Sequence, residues 1–137
     1  MKNTFLYIGT LIFLVGCELF VIGTAPKKIK PVEVNQKSPI GTIYLFKLEL
    51  DSNNIPAATK ILATPKGTQY LAIEKLDLYD EVERLGRLLS NKPITYIKAD
   101  SLTQSSYKVS VEFDYIHKMQ FTTYKIDDAW FITEYTE

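Results

Sequence analysis

YKVSVEFDY, residues 107–115, is the clearest period-two pattern in the chain. Apolar positions alternate with polar ones, namely Tyr107, Val109, Val111, Phe113 and Tyr115 with Lys108, Ser110, Glu112 and Asp114. Successive side chains of a strand point to opposite faces, so the pattern predicts a strand with one buried and one wet face. The domain is therefore expected to be built around a sheet that contains this strand.

Three more strands are expected on either side of it. Residues 94–99 and about 119–126 have strand-like composition, and Asp127-Asp128 predicts a tight turn before a last strand over residues 129–135. Short connections of this kind predict an antiparallel meander. In the last strand the side chains are expected to divide between two faces, Trp130 and Ile132 on one, Phe131 and Tyr135 on the other.

The region before the sheet has helical patterns. Apolar residues recur every three or four positions at Leu78, Val82, Leu85 and Leu89, which predicts an amphipathic helix that ends before Pro93. Residues 70–77 fit either the first turns of this helix or a separate piece, and the sequence leaves that open.

The start of the domain, near Ile40, fits two periods. Ile43, Phe46 and Leu50 have helical spacing, whereas residues 46–50 also alternate like a strand, and we favour the helix. Asn54 is expected to cap a second short helix that continues through Leu62. Helices followed by a curled antiparallel sheet predict a single α+β domain over residues 40–137, in which the sheet wraps the long helix.

This order of elements, ending in a turn-W-x-I motif (DDAWFI, residues 127–132), resembles the cystatin-like cone of nuclear transport factor 2-like and SnoaL-like domains. The resemblance covers residues 38–137. It implies a pocket between the concave face of the sheet and the helices, which that family uses for catalysis, small-ligand binding or partner docking. Fold alone does not select among these uses.

The first 23 residues carry an export pattern. A positive start at Met1-Lys2 precedes an apolar run, residues 5–15, that has the length of a signal-peptide core. The run ends in LVGC, residues 14–17, which resembles the bacterial lipobox. The resemblance implies cleavage before Cys17 and attachment of acyl chains such as palmitate to its thiol. The expected parts are then a signal peptide (1–16), a lipidated N-terminus with a Lys/Pro tether (17–39) and the domain (40–137).

A second interpretation of the N-terminus remains open. Apolar residues 19–22 extend the run beyond Cys17, so residues 4–23 also fit a single membrane span. Lys27, Lys28 and Lys30 follow this segment and only Lys2 precedes it, so the positive-inside bias would then leave the domain in the cytoplasm. The lipoprotein interpretation instead places the domain outside the cytoplasm, lipid-anchored in the cell envelope.

Composition excludes several kinds of chemistry. Sixteen basic and sixteen acidic residues cancel, which argues against a nucleic-acid partner. The single cysteine and single histidine argue against a transition-metal or thiol mechanism, and no phosphate loop, nucleophile elbow or zinc spacing occurs. No cofactor and no metal is expected.

Few residues qualify as site candidates. His117 is expected to be an exposed turn residue, and four aspartates are expected in turns, at strand ends or on the wet face: Asp100, Asp114, Asp127 and Asp128. The aromatic residues expected to face inward could line an apolar ligand site, although core packing is the commoner role of such a stripe: Tyr96, Tyr107, Tyr115, Tyr124 and Trp130.

The sequence thus predicts lipid attachment at Cys17 and no catalytic residue. The favoured function is a noncatalytic, lipid-anchored envelope domain that binds a protein or a small apolar ligand. One alternative is a small cofactor-independent isomerase, dehydratase or hydrolase that works in the cone pocket. The other is a single-span membrane protein with a cytoplasmic domain.

Overall fold

In the computed structural model, which describes residues 31–137, four helices are followed by four strands. The helices are α1 (Pro39–Asp51), α2 (Ile55–Lys60), α3 (Ala72–Asp77) and α4 (Tyr79–Leu89). The strands are β1 (Ile94–Ser101), β2 (Ser106–Phe113), β3 (His117–Ile126) and β4 (Ala129–Thr136). They form one antiparallel sheet in the order β1-β2-β3-β4, which confirms the predicted α+β class and meander.

The start of the domain is a helix, as we favoured. Ser38 begins α1, since its side-chain oxygen accepts a hydrogen bond from the Gly41 amide at 3.0 Å, and Pro39 follows it at the first position. Ile43, Phe46 and Leu50 are buried.

The second helix is shorter than predicted. Asn54 caps α2 as expected, accepting from the Ala57 amide at 3.4 Å, but the helix ends at Lys60 and does not continue through Leu62. Residues 61–63 pair instead with the middle of β4. The Ala63 amide donates to the Ile132 carbonyl at 2.8 Å, and the Ile132 amide donates to the Ile61 carbonyl at 3.0 Å. These hydrogen bonds replace those of a longer helix and cover part of the outer edge of β4.

Residues 70–77, which the sequence left open, contain a separate helix. α3 ends at Asp77 and α4 starts at Tyr79, with Leu78 between them. α4 buries Val82, Leu85 and Leu89, as its pattern predicts. α3 buries none of its residues, so the two helices have different surroundings.

A three-residue turn joins β2 to β3. Asp114 and Tyr115 have φ values of 52° and 60°, and the Ile116 amide donates to the Phe113 carbonyl at 3.1 Å. Both residues therefore adopt the left-handed conformation of a tight hairpin turn. The predicted alternation stops at Phe113, and Tyr115 belongs to the turn instead of the strand.

A β-bulge in β4 changes which side chains share a face. Thr122 and Thr123 are paired with Glu134 and Ile132, so Thr133 is an extra residue without a partner in the register. Tyr135 therefore faces the helices together with Ile132, and its ring lies 6.4 Å from that of Phe121. The prediction that Tyr135 lies opposite Ile132 is wrong, because simple alternation cannot include the extra residue.

One hydrophobic core lies between the helices and the inner face of the sheet. Phe46 of α1 meets Phe121 of β3 edge-on, with ring centroids 6.4 Å apart. Other fully buried side chains come from α1, α4 and the sheet: Ile43, Leu50, Leu85, Leu89, Phe113 and Ile132. Within residues 31–137, every helix is too short or too polar to traverse a bilayer.

Residues just before α1 contact β4. The Trp130 amide donates to the Gln36 carbonyl at 2.8 Å, and the Gln36 side-chain amide donates to the Trp130 carbonyl at 2.8 Å. Gly41 allows the segment before α1 to lie close to the helix, since a Cβ at residue 41 would lie 2.5 Å from the Glu33 carbonyl oxygen. The chain thus enters the domain beside Trp130.

Candidate functional site

Only some of the predicted inward aromatic residues face the helices. Tyr107 and Trp130 do, and their rings meet edge-to-face at 5.3 Å. Tyr96 and Tyr124 lie on the outer, exposed face of the sheet, and Tyr115 lies exposed in the β2–β3 turn. The prediction is therefore wrong for these three, because alternation and the turn direct them away from the core.

Side chains fill the space between the helices and the sheet. Phe46, Phe113 and Phe121 are each 1% exposed. Clefts among residues 31–137 lie at the surface, with volumes of about 340 Å³ beside Tyr96 on the outer sheet face, about 250 Å³ between α1 and the start of β1, and about 120 Å³ between α4 and β4. Each of these clefts opens to solvent.

The remaining predicted site residues are Cys17, four aspartates and His117. Cys17 lies outside the described residues, and Asp100, Asp114, Asp127 and Asp128 are exposed as predicted. His117 is half-buried at the start of β3 instead of exposed in the turn, and its Nε2 lies 2.8 Å from the Lys92 ammonium. In the part of the chain that the structure describes, no three His, Cys, Asp or Glu side chains could hold a metal ion together.

A carboxylate meets a phenol at the cleft between α4 and β4. The Tyr135 hydroxyl donates to Glu81 Oε1 at 2.7 Å, and Arg84 binds both carboxylate oxygens at 3.0 Å. Arg84 also donates to Glu137 at 3.0 Å. The hydrogen bonds from Arg84 and Tyr135 hold the pKa of Glu81 below its usual value of 4.5. Burial and the contact with Glu81 raise the pKa of Tyr135.

These contacts bear on the enzyme alternative, because a general base needs a free oxygen and a pKa near the working pH. Glu81 has its oxygens occupied by Arg84 and Tyr135, and its pKa is shifted away from neutrality. The cluster ties α4 to β4 and the C-terminal Glu137 and carries no poised acid or base.

The Glu81 cluster predicts a pH dependence of stability. Because the folded-state pKa of Glu81 lies below 4.5, its stabilising contribution is complete above that pH and is lost as the pH falls through the folded-state value. Glu81 and Arg84 are 41% and 47% exposed, so the contribution is no more than about 1 kcal/mol. We expect Glu81→Gln to lower the free energy of urea unfolding near neutral pH and to differ less from wild type in acid.

Glu83→Gln is the matched control, since Glu83 lies on the same helix and pairs with Arg87 at 2.9 Å away from Tyr135. It should change stability less than Glu81→Gln. A Glu81→Gln deficit that stays constant from neutral pH to well below 4.5 would contradict the assigned pKa direction.

Lys47 is a buried cation in the middle of α1. It is 7% exposed, and its ammonium lies 2.6 Å from Asp51 Oδ2, one helical turn later. Asp51 Oδ1 also accepts from the Asn91 amide at 2.8 Å, which ties the end of α1 to the loop before β1. This pair lines the cleft of about 250 Å³, but its charges satisfy each other. We assign it a structural role.

Exposed apolar side chains cluster on and before α3. Leu71, Ile73 and Leu76, which we call the α3 patch, are 66%, 67% and 53% exposed. Ile73 and Leu76 are three residues apart and so are neighbours on the helix surface. The Glu74 carboxylate holds the start of α3 by accepting from the Leu71 amide at 2.7 Å. The start of α3 is thus held by a hydrogen bond, although the apolar residues of the helix are not buried in the core of the domain.

Sequence patterns did not point to Lys47, Glu81 or the α3 patch. A Lys–Asp pair four residues apart in a largely apolar helix is a signal that could have identified Lys47. The chain matches no family model and no curated protein at a significant level. The functional inference therefore rests on the geometry and on the N-terminal pattern.

Proposed function

We propose that this protein is a noncatalytic docking domain, anchored in a bacterial cell envelope by lipid on Cys17, that binds a protein partner through the α3 patch. The observation that carries the docking function is the contrast between a filled interior and an exposed apolar patch. Leu71, Ile73 and Leu76 remain exposed although the same domain buries its phenylalanines almost completely. Exposed apolar clusters of this kind mark interaction sites.

The order of helices and strands supports a cystatin-like cone as the fold family of the domain. In that family the ligand pocket lies between the sheet and the helices. Here Phe46, Phe113 and Phe121 occupy the corresponding space. This packing disfavours a small apolar ligand or a substrate inside the cone and favours recognition at the outer surface.

The charges around the α3 patch favour a protein over a lipid surface. Residues 70–80 carry three carboxylates, Glu74, Asp77 and Asp80, against one cation, Lys75. Anionic lipid headgroups would repel this surface. A partner with an apolar groove and a basic rim complements it in both hydrophobicity and charge.

The anchor is tested by the intact mass of the N-terminal peptide from the membrane fraction, in wild type and in Cys17→Ala. The lipobox resemblance predicts a wild-type peptide that starts at Cys17 and carries acyl mass. Cys17→Ala should lack this peptide and keep its leader. An unprocessed chain that starts at Met1 in both proteins would refute the anchor and support the membrane-span alternative.

The docking surface is tested in the same cells by a photoreactive residue, Ile73→p-benzoylphenylalanine. We expect one discrete protein adduct, which is lost when Leu71→Ser and Leu76→Ser are added. The matched control places the photoreactive residue at Lys108, an exposed position on the outer face of β2, and should not give the same adduct. An adduct that survives the serine substitutions, or no adduct at position 73, would refute docking through the α3 patch.

A further inference from the structure

We propose that two copies of this chain pair through β1, antiparallel to each other, so that their sheets join into one continuous eight-stranded sheet. This inference concerns a different surface from the α3 patch and does not depend on the lipid anchor. It rests on the uncovered edge of β1, on the charges along that strand and on its partly buried inner face.

β1 is the open edge of the sheet. β2 pairs with one side of it, and among residues 31–137 no strand pairs with the other. The opposite edge of the sheet differs, since residues 61–63 bond to Ile132 in β4. An uncovered edge presents backbone donors and acceptors to any strand that can reach it.

The shape of β1 suits pairing. It is eight residues long, contains no proline, and its register with β2 is regular from Tyr96 to Ser101. Its irregularity is confined to the start, between Ile94 and Tyr96. Bulges, prolines and charged side chains are common protections of edge strands, and the regular part of β1 has only the charges of Lys98 and Asp100.

The charges of β1 favour a second copy as the occupant. Lys98 and Asp100 lie on the outer face, and the Lys98 ammonium lies 2.8 Å from the Asp100 carboxylate. In an antiparallel pair with a two-fold axis at Ala99, Lys98 of each copy faces Asp100 of the other. Opposite charges that face each other across strands stabilise the pair, so the strand is complementary to itself.

The same register covers apolar surface on both faces. On the outer side Tyr96, 52% exposed, would lie opposite the end of the partner's β1. On the inner side Ile97 and Ala99 are only partly buried against the core, although their β2 partners Val111 and Val109 are fully buried. The small side chain of Ala99 allows the two strands to approach closely at the axis. A register centred on Lys98 would instead oppose two lysines.

The experiment is sedimentation of the full chain in detergent, with charge swaps in β1. Wild type should form a dimer. Lys98→Asp and Asp100→Lys each oppose like charges twice across the axis, so each should raise the dimer dissociation constant by about tenfold. The double swap Lys98→Asp/Asp100→Lys restores both ion pairs and should return the constant to about the wild-type value. Circular dichroism verifies that all variants fold.

A disulfide tests the register directly. In a Cys17→Ala background, Ala99→Cys should form a covalent dimer under mild oxidation, because residues opposed in an antiparallel pair lie about 4.5–5.5 Å apart between Cα atoms. Ser110→Cys, on the outer face of β2, is the control and should not. A wild type that is monomeric at every concentration overturns the proposal. So does an Ala99→Cys variant that crosslinks to a different protein instead of to a second copy of this chain. Single swaps without effect, or a double swap that does not restore pairing, overturn it as well.

Discussion

Replacing Phe121 with alanine is expected to lower the free energy of unfolding by about 3–5 kcal/mol, the largest effect of any single substitution considered for this domain. Phe121 lies in the middle of β3, where its Cα partners are Val109 on one side and Tyr135 on the other. Its ring is 1% exposed and meets Phe46 and Tyr135 at 6.4 Å. Truncation would leave a cavity between α1 and the sheet that neighbouring strands cannot collapse to fill. Urea unfolding followed by circular dichroism measures the loss.

Tyr115→Ala is the matched control for Phe121→Ala. Tyr115 is an aromatic residue of the same hairpin but is 78% exposed, and alanine keeps a Cβ at its positive φ. Its substitution should change the free energy of unfolding by no more than about 0.5 kcal/mol. Equal losses for the two variants would mean that the interior is loosely packed, which would reopen the small-ligand hypothesis.

Gly41→Ala is expected to destabilise the domain by about 1–3 kcal/mol, although alanine is the better helix former. A Cβ at residue 41 would lie 2.5 Å from the Glu33 carbonyl oxygen and 2.6 Å from that of Asn35. These are backbone atoms, so residues 33–36 must move away from α1. That movement strains the paired hydrogen bonds between Gln36 and Trp130. Thermal unfolding measures the loss, and faster proteolysis around residues 33–36 locates it.

Gly86→Ala is the control for Gly41→Ala and should have the opposite sign. Gly86 lies inside α4, where the nearest atom to a new Cβ is the Ile55 side chain at 3.8 Å, an ordinary van der Waals contact. Alanine should therefore stabilise the domain by about 0.5–1 kcal/mol, because glycine costs more conformational entropy in a helix. A destabilising Gly86→Ala together with a neutral Gly41→Ala would show that the two helix surroundings are assigned wrongly.

Local patterns predicted most of the fold. The alternation at Val109, Val111 and Phe113 fixed the inner face of β2, and the spacing of Val82, Leu85 and Leu89 fixed the buried side of α4. Each pattern depends only on the geometry of a single strand or helix, so the spacing of apolar residues in the sequence is enough to predict it. The face of Tyr135 could not be predicted in this way, because the extra residue Thr133 shifts the register and has no distinctive side chain.

The end of α2 was predicted less well for a different reason. Ile61 and Leu62 are compatible with helix, but hydrogen bonds of the Ile61 carbonyl and the Ala63 amide to Ile132, some 70 residues later, end it. A pattern within one segment carries no information about such a distant partner. The contact between Glu81 and Tyr135 has the same origin, since 54 residues separate the two side chains.

The sequence predicted a type of function, noncatalytic binding, but not the position of a binding surface. It favoured noncatalytic binding of a protein or a small apolar ligand over catalysis. The α3 patch was not foreseen, because apolar residues at Leu71, Ile73 and Leu76 fit a buried helix equally well. Burial depends on what packs against a helix, which its own sequence does not specify.

The short segment over the edge of β4 has a consequence for how large an assembly can grow. Residues 61–63 occupy the backbone groups of Ile132, so a strand from another molecule cannot run along the full length of β4. A sheet that is blocked on one side can add a neighbour on the other side only. Pairing through β1 would therefore terminate at two molecules, and the same asymmetry guards the folded domain against stacking edge by edge into fibrils.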